Sequence, residues 1–360
     1  MIRCHNNTER LFLLGRPFSS LYGSIMRLRR QLYTKGIFKI QKLPCHVISI
    51  GNLTLGGTGK TPHVIAITSR LYNLGYKPCV LTRGYGGRAG KGPLVVSNGK
   101  EVMAGPDASG DEAYMMAAKL SGVPVIAGSD RYTCGIYAVK KLNASIIVLD
   151  DGFQHIRLHR DLDLVLMDAT NPLGSGRIFP GGTLREHPSA LGRADAGIIT
   201  KCNEVPLNTL ELIEEDLRPF IKDRPLFKSH YELDSFEWAY NEITEDQKDI
   251  FTSSCFSFCG LANPSSFINI LNAKGVNLAG SIYYPDHHFY TERDIKRIGQ
   301  QAKSHNCTIV LTTEKDFAKI SPHRWKSVNS DLALAVVKIK VNLSESFWHF
   351  LQCQLKDIPL

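Results

Sequence analysis

The chain has 360 residues, 43% of them apolar and 21% charged, with nine cysteines and a net charge of +9. That size and balance exclude a disordered chain and allow one large domain or two ordinary ones. No C-x-x-C pair occurs, and the closest cysteines, Cys255 and Cys259, sit inside an apolar run. Neither a zinc site nor a disulfide framework is therefore expected, and the thiols suit a reducing compartment.

The first element carries most of the charge. Residues 1–42 hold nine Lys or Arg and one acid, Glu9, hence +8 of the total +9. Such an arm suits nucleic acid or an anionic membrane surface. Leu21, Ile25, Leu28 and Leu32 recur on one helical face, and Leu11 to Leu14 with Phe18 add apolar bulk. No run approaches the roughly 18 uncharged apolar residues of a membrane span. No small-residue cleavage site follows, which argues against a secretory signal. The aromatic and basic interleaving of a strand-binding surface is missing, so no nucleic acid is expected. The pattern reads as an amphipathic helix lying in the membrane interface. The alternative is a helix packed on the protein's own core with a solvated basic face.

From residue 43 to 225 short apolar strands alternate with amphipathic helices. Strands are expected at 46–51, 78–82, 123–127, 145–150, 163–168 and 195–200, and helices at 60–74, 111–121, 130–142 and 208–218. This alternation predicts a doubly wound, mostly parallel sheet with covered faces. The Gly- and Arg-rich loops at 83–93 and 171–188 follow strand ends, where open α/β sheets place ligands. Residues 226–254 read as a connecting segment: a strand-like stretch at 226–234, then a polar, acidic run. A second, smaller α/β domain is expected over 255–360.

The run Thr54-Leu55-Gly56-Gly57-Thr58-Gly59-Lys60-Thr61 stands between the apolar stretch 47–51 and a helical pattern. Strand, glycine-rich turn and helix together form a phosphate-binding loop, so the first domain is P-loop NTPase-like. Glycines let backbone N–H groups point at phosphate oxygens, and the helix N-terminus adds partial positive charge. Lys60 can reach the outer phosphates, and the Thr61 hydroxyl can ligate Mg²⁺. The first position of the usual pattern is Thr54, not glycine. Pro62 is tolerated in the first helical turn.

The apolar strand 145–150 ends in Asp150-Asp151, the place where such proteins hold or orient Mg²⁺. Gly110-Asp111-Glu112 precedes a helix; by pattern alone Asp111 is a helix cap and Glu112 a first-turn acid. Asp286-His287-His288 sets a carboxylate before two imidazoles at a strand end. Arg83, Arg131, Arg157, Arg160, Arg177 and Arg185 fall at strand ends or adjacent loops and can fork onto phosphate. Thr200-Lys201-Cys202-Asn203 lacks the carboxylate that reads guanine. Thr313-Glu314-Lys315-Asp316 has the wrong spacing, so ATP is favoured over GTP.

Taken together these stretches resemble the tetraacyldisaccharide 4′-kinase family, the lipid A 4′-kinases. The matching segments are 51–62, Arg83-Gly84-Tyr85-Gly86, 110–112, Asp130-Arg131 and Asp150-Asp151-Gly152-Phe153-Gln154-His155. They continue with 160–163, Pro180-Gly181-Gly182-Thr183-Leu184-Arg185-Glu186, Tyr284-Pro285-Asp286-His287-His288 and 312–316, in the family's order. The resemblance implies transfer of the ATP γ-phosphate to the 4′-hydroxyl of tetraacyldisaccharide 1-phosphate, giving lipid IVA. It implies Asp111 as base with His287 as its partner, which displaces the cap reading. Lys60 and Arg131 would stabilise phosphate charge or clamp substrate. Thr54 to Thr61 would hold ATP, and Thr61, Asp150 and Asp151 Mg²⁺. Arg83, Arg185 and Glu186 are substrate candidates. The family's loop commonly lacks the first glycine, which accounts for Thr54, while its proline after the histidine pair is Phe289 here. The resemblance further implies docking on the cytoplasmic face of the bacterial inner membrane through the basic helix, a lipid A disaccharide precursor as partner and no obligate protein partner. The rival reading from the loop and acids alone is a P-loop ATPase or GTPase that switches a protein partner.

Overall fold

The computed structural model describes residues 2–88, 90, 92–239, 249–261, 263–286, 288–320, 322–356 and 358, with backbone alone for 2–11 and 322. It divides into two compact units, Met1–His230 with Asn342–Leu360, and Tyr231–Val341.

In the first unit, helix α1 (Ile2–Thr34) precedes strand β1 (His46–Asn52) and helix α2 (Lys60–Asn73). Then come β2 (Pro78–Thr82), β3 (Leu94–Asn98), α3 (Pro106–Ser109), α4 (Asp111–Lys119), β4 (Pro124–Ala127) and α5 (Arg131–Leu142). They are followed by β5 (Ile146–Asp150), β6 (Leu162–Asp168), β7 (Ala196–Thr200), α6 (Leu207–Ile221) and the start of β8 (Leu226–Trp238). The strand order is β8-β7-β6-β1-β5-β2-β4-β3. All neighbours are parallel except β3, which runs antiparallel to β4. β2, β5 and β7 are buried along their whole length, as parallel strands covered on both faces must be. Helix α2 buries Val64, Ile67 and Leu71, a stripe of helical spacing laid on that sheet. The edge strand β3 was not among the expected strands; unlike β2, β5 and β7 it is only partly buried, so no continuous apolar run marks it.

In the second unit β8 continues, followed by β9 (Cys255–Cys259), α7 (Pro264–Ala273), β10 (Leu278–Tyr283), α8 (Glu292–Ser304) and β11 (Ile309–Thr313). Two short helices, α9 (Glu314–Phe317) and α10 (Pro322–Val328), lead to β12 (Ala333–Leu343). The strand order is β10-β9-β11-β12-β8, with Phe256, Phe258 and Trp325 buried in its core. The last helix, α11 (Glu345–Gln354), returns to the first unit. There Phe347 meets Phe227 edge-on at 5.3 Å, and Tyr76 donates to the Leu355 carbonyl at 3.4 Å.

These boundaries differ from those expected at 226, 255 and 360. The segment read as a connector begins with a 13-residue strand. Its polar Lys228, His230, Glu232 and Asp234 are the outward half of an alternation whose Phe227, Ser229 and Tyr231 are buried. Residues 240–248 of the acidic stretch lie outside the described residues.

Among the described residues no helix is long and apolar enough to cross a membrane. Leu13, Leu14, Phe18, Leu21, Ile25 and Leu28 of α1 are each more than half exposed. Gly15, Ser19 and Gly23, four residues apart, meet the loop at 178–181 instead.

Candidate active site

The glycine-rich loop joins β1 to α2, as its sequence context requires. Gly59 caps α2 in the left-handed conformation (φ 81°), and Gly56 also has positive φ at 108°. No side chain caps the helix, so an anion at this end finds the helix dipole unopposed. Thr54 keeps negative φ, which is why a glycine is not needed there. Its carbonyl accepts from Asn52 Nδ2 at 2.9 Å, and the same nitrogen reaches Thr58 Oγ1 at 2.8 Å. Asn52 thus braces the loop from inside. Leu55 is 40% exposed on the outside of the turn, whereas Thr58 and Thr61 are buried.

Lys60 folds across the loop. Its Nζ lies 3.3 Å from Asn52 Oδ1 and 3.7 Å from Asp151 Oδ1. Asp151, held at φ 54°, also takes Arg185 NH1 at 2.8–2.9 Å on both oxygens. Arg185 continues to Gln154 Oε1 at 3.2 Å, and Gln154 donates to the Asn52 carbonyl at 2.9 Å. Burial works against the Asp151 charge, but the Lys60 and Arg185 cations outweigh it and hold its pKa below the usual range.

Asp150, one residue earlier, turns the other way. It is 3% exposed, its Oδ2 accepts from Thr82 Oγ1 at 2.9 Å, and its Oδ1 is buried with no partner. Burial first, then the charges of Glu112 and Asp151, push its pKa up to about 7. The two acids therefore titrate in opposite directions: Asp151 is a committed anion, and Asp150 is a carboxylate short of a counter-charge. Among the described residues no three His, Cys, Asp or Glu side chains form a cage for a metal ion.

Arg131 opens α5 and is 5% exposed. Its guanidinium donates to the Gly128 carbonyl and, at 3.5 Å, to the Asp150 carbonyl. Burial lowers its pKa, Asp150 and Asp151 oppose the shift, and Arg83 adds to it. Arg83 itself is exposed just beyond β2.

Asp111 is the first residue of α4; the cap position belongs to Gly110 (φ 86°), not to Asp111. A Cβ on Gly110 would collide with the Tyr85 carbonyl oxygen, so the turn before Asp111 is wedged against the loop at 84–87. Through Glu112, α4 faces Asp150.

His287 lies outside the described residues. On either side of it, Asp286 pairs with Lys315 at 2.8 Å, and His288 stacks on Tyr284 with ring centroids 4.5 Å apart.

Glu186, a substrate candidate, is paired within the protein. Both its oxygens receive Arg193, at 2.7 and 2.8 Å, and that guanidinium also stacks on Phe153 at 3.8 Å. Arg160 likewise pairs with Asp163 at 2.9 Å.

Several supports carried no sequence signal as site residues. Lys201, buried and at φ 58°, pairs with Asp168 and lies 3.5 Å from the Gly57 carbonyl, while Thr200 Oγ1 donates to the Thr58 carbonyl at 3.2 Å. The guanine-type position thus braces the glycine loop. His63 sits 2.8 Å from the Gly59 carbonyl through Nδ1 and 2.8 Å from Ser229 Oγ through Nε2. Burial pushes its pKa down to about 4. The ring is therefore neutral; Nδ1–H donates to the carbonyl and the Ser229 hydroxyl donates to Nε2.

Comparison with known proteins adds to this geometry. The family profile described as Tetraacyldisaccharide-1-P 4′-kinase matches residues 11–356. The Tetraacyldisaccharide 4′-kinase of Desulfotalea psychrophila is 42% identical over 342 residues, covering 94% of each chain. That of Syntrophus aciditrophicus is 35% identical over 352 residues, covering 96% of this chain and 93% of its own. The crystal structure of LpxK from Aquifex aeolicus in complex with ATP superposes with a TM-score of 0.73 at 32% identity, over 95% of this chain and 97% of that one. A glycine loop with Lys60, Asp151 and Arg185 linked beside it, in a chain matched over residues 11–356, leaves one conclusion: the chain belongs to the tetraacyldisaccharide-1-P 4′-kinase family.

Proposed function

We propose that this protein is the lipid kinase that moves the γ-phosphate of ATP to the 4′-hydroxyl of tetraacyldisaccharide 1-phosphate, forming lipid IVA in lipid A biosynthesis. The observation that carries the reading is Lys60, held over the glycine loop between Asn52 and Asp151, in a chain that the family profile spans from 11 to 356.

The loop backbone from Thr54 to Gly59 and the start of α2 bind the phosphates. Lys60 exchanges part of its contact with Asp151 for the outer phosphate oxygens, at little reorganisation cost because its ammonium already lies over the loop. The Thr61 hydroxyl, Asp150 and Asp151 are a fitting set for Mg²⁺: Asp150 Oδ1 is a hard oxygen, buried and unpartnered, as a cation's ligand would be. When bound, the ion neutralises charge on the phosphates.

Asp111 accepts the proton of the acceptor hydroxyl, held in place by the wedged turn at Gly110. His287 supports that step. Arg131 and Arg83 lend positive charge beside Asp150, and Arg185 keeps Asp151 ionised. The acceptor's acyl chains remain in the bilayer, so the enzyme must work at an interface. The exposed Leu14, Phe18, Leu21 and Ile25 of α1, with the basic arm, serve as a peripheral anchor on the cytoplasmic face of the inner membrane.

The test is incubation with Mg²⁺, labelled ATP and tetraacyldisaccharide 1-phosphate in detergent. The expected product is labelled at the 4′ position. ATP hydrolysis without labelled lipid would instead favour a switch that acts on a protein partner.

A further inference from the structure

The phosphate loop is not free-standing. The Leu55 N–H donates to the Thr183 carbonyl at 2.7 Å, and the Arg185 N–H to the Leu53 carbonyl at 2.7 Å. Thr54 and Leu184 face each other in an antiparallel bridge between these bonds. The loop therefore has a backbone partner strand, and that strand also delivers Arg185 onto Asp151.

The partner strand is tied to its own upstream turn. The Phe179 N–H donates to the Leu184 carbonyl at 2.7 Å, and the Leu184 N–H to the Arg177 carbonyl at 2.9 Å. That turn is in turn held by α1. Ser19 Oγ donates to the Ile178 carbonyl at 2.9 Å and accepts from the Gly181 N–H at 2.8 Å.

The approach leaves no slack. A Cβ on Gly15 would collide with the Pro180 carbonyl oxygen, and one on Gly181 would come 2.8 Å from the Arg16 Cα. Tyr22 adds an edge-on contact with Phe179, centroids 5.6 Å apart. From Ser19 to Thr54 the path is thus Ser19, Ile178 and Phe179, Leu184, then the loop, with a hydrogen bond or a peptide bond at every step. Meanwhile the far face of α1 exposes Leu14 at 73% and Phe18 and Leu21 at 61% each.

We propose that Ser19 is a positioning residue for the phosphate loop, and that seating α1 on a lipid surface tightens ATP binding through the 177–185 strap. The inference rests on reading 54–61 as the nucleotide loop. A helix fixed in an interface loses part of its motion, and the strap transmits that restriction to the loop backbone whose N–H groups must point together at the phosphates. Such coupling is reciprocal: whatever factor vesicles add to ATP affinity, ATP must add to vesicle affinity.

The experiment uses the full chain and a fluorescent ATP analogue, titrated with and without vesicles of phosphatidylethanolamine and phosphatidylglycerol. The parent should bind the analogue roughly fivefold more tightly with vesicles, near the low end of measured couplings, and the nucleotide should tighten vesicle binding by the same factor. Ser19→Ala should raise the KM for ATP roughly threefold to tenfold, leave the KM for the acceptor and vesicle binding unchanged, and lose the vesicle effect. A parent that binds no nucleotide at all sinks the reading of the loop. A parent that binds it equally with and without vesicles overturns the coupling alone. A Ser19→Ala protein that keeps the full vesicle effect overturns the assignment of Ser19. Should Ser19→Ala fail to fold, the parent's reciprocal titrations decide the coupling without it.

Discussion

Asp150→Asn measures what a buried carboxylate costs this fold where burial and two neighbouring acids outweigh the Lys60 cation. Burial, Glu112 and Asp151 raise the Asp150 pKa from 3.8 to about 7. A carboxylate whose folded pKa exceeds its unfolded value holds its proton more tightly when folded. Its penalty is absent below about pH 3, grows as pH rises, and is complete above about pH 7. The gap of about three pKa units corresponds to roughly 4 kcal/mol. Asparagine keeps the shape and the acceptor for Thr82 but not the charge. The ligand-free variant should therefore exceed the parent by up to ~4 kcal/mol at pH 8, by less than ~2 kcal/mol at pH 5, and by almost nothing below about pH 3. Urea unfolding in EDTA across that range reads the difference. The same variant should lose Mg²⁺-dependent phosphoryl transfer, since the destabilising charge is the one assigned to the ion. An advantage that stays constant between pH 5 and pH 8, or a variant less stable than its parent at pH 8, would refute the assignment of a buried charge disfavoured by its surroundings.

Asp111→Ala should lower kcat by roughly 10²- to 10⁴-fold with ATP affinity nearly unchanged; a normal rate would remove it from the role of base. Lys60→Ala should abolish transfer in the labelled-ATP assay, and intact transfer would contradict the loop assignment. Arg193→Leu should cost about 3–5 kcal/mol in denaturant unfolding, because it strands the nearly buried Glu186 carboxylate; a cost below ~1 kcal/mol would return Glu186 to the substrate candidates. Phe18→Glu combined with Leu14→Glu should release the protein from anionic vesicles in a sedimentation assay while detergent-phase transfer persists; undiminished binding would mean that α1 is not the anchor.

The elements that read clearly in the sequence are those whose period is enforced by burial on both sides. β2, β5 and β7, continuous apolar runs in a covered sheet, fall where 78–82, 145–150 and 195–200 were expected. β8 was legible as the strand-like stretch 226–234, but not its run on to Trp238, because a half-buried strand shows polar residues at every second place. In the site, the glycine loop and Asp150-Asp151 are local motifs and stand out as such. What sequence adjacency cannot show is direction. Nothing in a doublet of aspartates tells that one turns to Lys60 and Arg185 while the other turns to Thr82 and Glu112. Gln154 and Lys201 brace the loop across long chain separations, which no local spacing shows. Arg185 and Glu186, adjacent in one motif, likewise part company, the first to Asp151 and the second to Arg193. Thr313-Glu314-Lys315-Asp316, weighed as a nucleotide-reading motif, is a capped turn: Thr313 Oγ1 accepts the Asp316 N–H at 3.1 Å, and Asp316 Oδ2 takes the Gly260 N–H at 2.9 Å.

Helix α11 gives the chain path a consequence for biosynthesis. The second unit is an insertion: the chain leaves the nucleotide-binding unit at His230 and re-enters it at Asn342. On a ribosome the nucleotide-binding unit cannot close until α11 has emerged, because Phe347, fully buried, belongs to its core. The inserted unit, by contrast, is complete as soon as Val341 emerges. A premature stop that removes only α11 would spare the unit next to it in sequence. It would instead leave Phe227 bare in the unit that holds the phosphate loop, so a short truncated product would be marked for degradation through damage to the N-terminal three-fifths of the chain.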